Sequence, residues 1–203
     1  MSSGKRVLAL SSLLASFVGS VSFAHDADGL RALMASLATI DASRVAYRET
    51  KSMVILDSMV EQSGFLSFAA PATVIREIRE PLVETYAIVG NTMHVTREGR
   101  EERIDLDSIP LLRAFIESFR ATLSGDVDLL EAHYHVDFSG DGPMWRLELR
   151  PRNRRLAGFI ESIEFTGEET RVDRIRISEA NGDWSLMILS PAEQGNSRYV
   201  DSP

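Results

Sequence analysis

The run Trp145-Arg146-Leu147-Glu148-Leu149 has an apolar residue at every second position, and the same period recurs along most of the chain. Side chains of a strand point to alternate faces, so this pattern specifies strands with one covered and one wet face. It returns in Val45 and Tyr47; Leu66 and Phe68; Met93 and Val95; Ile104 and Leu106; Tyr134, Val136 and Phe138. It continues in Ile163 and Phe165, Ile175 and Ile177, and Trp184, Leu186 and Ile188, which are read as the covered positions of their strands. Turn signals separate the runs: Gly90-Asn91, Gly99, Gly140-Asp141-Gly142-Pro143, Gly167 and Asn181-Gly182. Connections this short join antiparallel neighbours. At ordinary strand lengths the chain holds about ten to eleven strands.

Helical periodicity interrupts the strands in a few places. Leu30, Leu33, Met34, Leu37 and Ala38 form one stripe of a helix over residues 26–40. Asp107-Ser108 caps a second segment with Pro110 in its first turn. Leu112, Phe115, Ile116, Phe119 and Leu123 share a face there, and Gly125 closes it. Residues 126–133 continue as a short helix, and residues 153–159 form another. A single antiparallel sheet with a few apolar-striped helices buries both surfaces most economically by curling into a partial barrel, its inner face covered by the helices. The fold class is α+β.

Lys5 and Arg6 precede a mostly apolar run from Val7 to Val18, and Ser22 and Ala24 are small residues at the positions that flank a cut. This is the plan of a secretory leader, residues 1–24, and the chain is expected to be exported. Residues 25–189 form one domain, and the polar stretch 190–203 reads as a flexible tail. The chain has no cysteine, which excludes disulfides, thiolate metal sites and thiol catalysis. Its net charge of −8 argues against nucleic acid as a partner. The basic runs at 97–103 and 150–155 read as solvated turns. His133 and His135 share a strand face directed at water and lack a third ligand, so no metal or other cofactor is expected. No nucleophile elbow, phosphate loop or dinucleotide-binding glycine run occurs, so the chain is not read as an enzyme.

The stretch from Tyr47 to Met93 orders several weak motifs at fixed spacings. Tyr47-Arg48-Glu49 is followed by Gly64-Phe65-Leu66, Ala70-Pro71, Val74, Pro81, Gly90 and Met93. This order resembles the periplasmic outer-membrane lipoprotein carrier family, LolA, and more closely its divergent LolA-related branch. The family has Phe-x-Gln at residues 47–49 and Arg-Pro at residues 70–71. The resemblance implies a half-open antiparallel barrel with helices lidding an apolar cavity. It implies a monomeric carrier of acylated lipoproteins, loaded by an inner-membrane release complex and unloaded by an outer-membrane receptor. That receptor is lipid-anchored through a cysteine in the family, so the absence of cysteine favours the carrier. The branch is also associated with specialised lipids and polyene pigments, which makes another acylated lipid the alternative cargo. An exported interaction module with a solid core is the other reading. Expected cavity residues are Tyr47, Leu66, Phe68, Val74, Ile78, Met93, Leu112, Phe115 and Phe119. Ala70 replaces the family's lid arginine, and Arg76 is the candidate to take over its contact.

Overall fold

The computed structural model describes residues 27–54, 58–70, 73–109, 113, 116–117, 120–121 and 124–192. Residues 1–26 and 193–203 lie outside them, as do Leu112, Phe115 and Phe119. Helix α1 spans Ala27–Leu37 and is followed by β1 (Ala42–Met53), β2 (Ser58–Ala69), β3 (Thr73–Glu80), β4 (Glu84–Val89), β5 (Thr92–Arg97) and β6 (Arg100–Asp105). After a 3-10 turn at Leu106–Ser108, residues 113, 116–117, 120–121 and 124 are helical. Helix α2 (Val127–His133), β7 (Tyr134–Asp141), β8 (Met144–Pro151), α3 (Arg154–Ala157), β9 (Ile160–Glu168), β10 (Arg171–Glu179) and β11 (Trp184–Pro191) complete the order.

All 11 strands join one antiparallel sheet in the order β6-β5-β4-β3-β2-β1-β11-β10-β9-β8-β7. Every neighbour is adjacent in sequence except β1 and β11, which join the two halves of the sheet at its centre. Strands β6 and β7 end the order without pairing to each other, so the sheet is an open α+β half-barrel rather than a closed one. Arg100, Glu101, Glu102 and Arg103 crowd the β6 edge with charge, which discourages edge-to-edge association.

The apolar stripe of α1 lies against the β7 side of the sheet. Leu30, Leu33, Met34 and Leu37 share one cluster with Tyr134, Phe138, Leu147, Leu149, Ile163 and Phe165, several of them completely buried. Register explains the match: Phe138 faces Leu147, Leu147 faces Phe165, and Phe165 faces Ile175, one inner row across four strands. Two glycines are required by close approach. A side chain at Gly125 would put its Cβ 2.1 Å from the Met34 carbonyl oxygen, and one at Gly167 would meet the Trp145 ring at 2.5 Å.

The final strand departs from its sequence reading. Trp184, Leu186 and Ile188 read as covered positions, yet Ser185 and Met187 are the buried ones and Ile188 is 42% exposed. Pairing decides it: Met187 lies opposite Glu49 on β1 and Ile175 on β10, both inner-face residues. The run Trp-Ser-Leu-Met-Ile-Leu is apolar at both phases over most of its length, so alternation alone could not choose the inward one. His133 ends α2, as the short helix over 126–133 implies, so it does not share a strand face with His135; Leu106 is buried from the 3-10 turn rather than from β6. Helix α1 is shorter than the span 26–40, because Ile40 returns its N–H to the Leu37 carbonyl in a turn.

Candidate functional site

The inner face changes character at the join between β1 and β11. Val45 of β1 lies opposite Leu66 of β2, and Ser43 lies opposite Phe68. Phe68 faces Val74 of β3. On the other side Leu189 of β11 pairs with Tyr47, while Ile175 and Phe165 continue the inner row. Leu37 and Ile40, at the end of α1, roof the space between these walls. The result is a cavity of about 270 Å³, closed at the β9–β10 turn by Thr170, Arg171 and Val172. Its walls are mostly hydrocarbon, with Ser43, Ser67, Thr170 and Arg171 as polar exceptions.

Of the residues expected from sequence, Leu66, Phe68 and Val74 line this cavity. Tyr47 lies one inner-face position beyond Val45 and is buried in the core. Ile78 is buried opposite Gly64, two inner positions along β3 from Val74. Met93 is half-buried farther out, between Ile88 and Ile104. Leu37, Ile40, Phe165, Val172, Ile175 and Leu189 complete the walls but were not singled out by sequence. Their alternation marked Phe165 and Ile175 as covered; only the β1–β11 pairing brings their half of the sheet up to Leu66 and Phe68.

Beyond Tyr47 the inner face turns polar. The Arg76 guanidinium donates to the Tyr47 hydroxyl at 3.2 Å, to Gln62 at 2.9 Å and to the Glu49 carboxylate. It also stacks 5.2 Å from the centroid of the Tyr47 ring. Glu49 and Gln62 face each other across β1 and β2, so two adjacent strands supply both acceptors. Burial disfavours the charged Arg76, but the Glu49 carboxylate and the Tyr47 hydroxyl outweigh it, and the pKa is raised overall. Burial pushes the Tyr47 hydroxyl up, keeping it a neutral phenol. Every one of these Arg76 bonds runs to the sheet, none to a helix, among the described residues. Arg120, from the helical segment, instead donates to the Gly90 carbonyl at 2.6 Å and ties that segment to the β4–β5 turn.

A larger groove of about 670 Å³ lies between the β3–β4 connection and the β5–β6 turn. Glu84, Arg97, Arg100, Glu101 and Glu102 line much of it, with Leu82 and Val83 on its rim. Its size exceeds that of the inner cavity, but its charged walls would keep water around a hydrocarbon ligand. Among the described residues no group of three or more His, Asp or Glu is placed to hold a metal ion. His133 and His135 are exposed, and His94 contacts Glu101 at 3.0 Å. No helix among the described residues is long and apolar enough to cross a membrane.

Residues 21–202 match the family described as outer membrane lipoprotein carrier protein LolA-like. The chain belongs to this LolA-like family. No curated protein matches it. It is similar to a LolA superfamily protein from Nitrosomonas europaea, with 14% identity, a TM-score of 0.44 and coverage of 79% of this chain and 91% of the other. A putative outer membrane lipoprotein-sorting protein domain from Vibrio parahaemolyticus shows 9% identity and a TM-score of 0.45, over 81% of this chain and 88% of that one. The lipoprotein LppX of Mycobacterium tuberculosis shows 12% identity and a TM-score of 0.43, over 81% and 94%.

Proposed function

We propose that this LolA-like protein is a periplasmic carrier that holds acyl chains of lipoproteins at the β1–β11 join and shuttles them from the inner to the outer membrane. One observation carries the reading: the inner cavity is walled by Leu66, Phe68, Val74, Phe165, Ile175 and Leu189. Each methylene withdrawn from water contributes about 0.8 kcal/mol, so about ten of them give about 8 kcal/mol before ordering costs. A binder of that kind needs hydrocarbon walls and no catalytic group. The family's description as an outer membrane lipoprotein carrier supports this direction of transport, and the proposed partners are an inner-membrane release complex and an outer-membrane receptor.

The volume of about 270 Å³ is just below the range of about 300–1,000 Å³ in which small-molecule sites fall. Loading therefore widens the cavity, and the walls proposed to yield are Leu37 and Ile40 on its roof and the β9–β10 turn. Native mass spectrometry of the gently purified mature chain, with organic extraction of bound material, tests the reading. An acylated peptide or lipid adduct is expected on the wild type and absent from a folded Leu66→Trp variant, whose indole fills the space. A clean apo mass that persists after incubation with an acylated lipoprotein would remove the transport reading and leave the fold intact. An adduct made only of another acylated lipid would replace the lipoprotein as cargo.

A further inference from the structure

The inverted phase of β11 leaves an unusual outward face. Trp184, Leu186 and Ile188 form an apolar line on the outer surface, because Ser185, Met187 and Leu189 take the inner one. Met59 extends it at one end: Ser52 pairs with Met59 on one side and with Trp184 on the other, and Met59 is 67% exposed. A single exposed apolar residue means little, but a contiguous outward line at the centre of the sheet needs an account.

Three arginines flank this line in register. Arg48 on β1 and Arg174 on β10 both face Ile188, and Arg176 faces Leu186. With neighbouring strands about 4.8 Å apart, Arg48 and Arg174 stand about 10 Å from each other with Ile188 between them. The Arg176 guanidinium lies 4.9 Å from the centroid of the Trp184 ring. No acidic group lies within ion-pair distance of Arg48, Arg174 or Arg176 among the described residues. The nearest acids in register are engaged or peripheral: Glu164, opposite Arg176, bonds Arg146 at 2.6 Å, and Glu61 lies beyond Thr50 on β2. On a chain of net charge −8, free cations gathered around one apolar line are a local reversal of sign.

We propose that this outer face docks on the headgroup layer of an anionic phospholipid membrane. The arginines meet phosphates, Trp184 takes the interfacial position that its amphipathic ring favours, and Ile188 and Met59 reach the upper acyl region. The face lies on the opposite side of the sheet from the cavity, so docking leaves the acyl site free. This inference does not depend on the carrier reading.

Co-sedimentation of the mature chain with phosphatidylglycerol–phosphatidylethanolamine vesicles tests it, with phosphatidylcholine–phosphatidylethanolamine vesicles as the neutral control. The wild type is expected to partition to the anionic vesicles at low ionic strength and to be released by salt. Arg174→Gln is expected to lower partitioning about fivefold, and Arg48→Gln with Arg174→Gln about 25-fold. Both arginines are solvent-exposed, so these variants keep the fold and their binding of an acyl probe. Lipids brominated on their acyl chains are expected to quench tryptophan emission in the wild type but not in Trp184→Phe. Absence of wild-type association, or equal association of the double variant, overturns the proposal. So does capture of an acidic polypeptide by this face without any vesicle binding, which would make the partner a protein.

Discussion

The two halves of the sheet fold on the same strand period yet differ in what their inner faces hold. From β7 to β10 the inner rows are closed hydrocarbon: Tyr134, Leu147 and Leu149 are completely shielded and α1 seals them. From β1 to β5 the inner face holds buried Tyr47, Phe68, Val74, Ile78 and Val95 but also carries Glu49, Gln62, Arg76, Tyr86, Glu84 and Arg97, bonded to one another. The first half gives the fold a rigid wall, and the second keeps an inner surface that water and ligands can enter. The apolar cavity occurs where they meet, on the edge of the solid core. The binding space lies where the closed packing of one half meets Val45, Leu66, Phe68 and Val74 of the other, before that half's inner face turns polar.

The largest expected effect separates the halves directly. Leu147→Ala removes a fully buried side chain from the closed half and should cost about 2–5 kcal/mol in urea denaturation. Leu66→Ala, beside an existing cavity, should cost about half as much, because part of its surface already lacks partner atoms. Equal losses would break the contrast between a closed and an open half.

A middle-sized effect sharpens the account of the polar rows. Glu49→Gln removes the buried carboxylate facing Arg76, whose own side chain is 31% exposed and therefore partly solvated. A loss of about 1–2 kcal/mol is expected, below the about 3–5 kcal/mol seen when a fully buried pair is broken. Replacing Glu49 and Arg76 together by methionine should restore stability to within about 1 kcal/mol of the wild type, as measured by chemical denaturation. If the double variant were as unstable as Glu49→Gln, the pair would be an organising element of the β1–β3 rows and not a tolerated one.

The smallest effect concerns the outer face of the same strands. Arg44 holds the Glu77 carboxyl below its usual range through a hydrogen bond of 2.6 Å, aided by Arg79. A carboxylate whose pKa is lowered by folding contributes stability above its unfolded pKa and loses it as pH falls through the folded one. Glu77→Gln should therefore cost less than about 1 kcal/mol at neutral pH, and nothing in acid below the carboxylate range. Thermal denaturation at the two pH values checks the sign.

Much of this architecture could be read from the sequence, because most strands report their own alternation and the β4–β5, β5–β6, β7–β8 and β10–β11 turns carry a glycine, whereas Gly167 lies inside β9. The stripe of α1 and the inward set Tyr134, Val136 and Phe138 needed nothing beyond local period. The site needed register. Leu66 and Phe165 show the same local pattern, and only the pairing of β1 with β11 puts them on facing walls of one cavity. Arg76 reaches Glu49 and Gln62, 27 and 14 residues away, through strand pairing that no motif encodes. Alternation cannot phase strand β11 because both of its faces are apolar, and the same composition gives the protein its outer line of Trp184, Leu186 and Ile188.

Photo-crosslinking with an acylated peptide carrying a diazirine near the end of its chain tests the central claim most directly, with adducts mapped by peptide mass spectrometry. Labels are expected on both walls of the cavity, on Leu66, Phe68 or Val74 from one half and Phe165, Ile175 or Leu189 from the other, and are expected to be lost in Leu66→Trp. Labels confined to the charged groove between Leu82 and Glu102, or no label on folded protein, would contradict it.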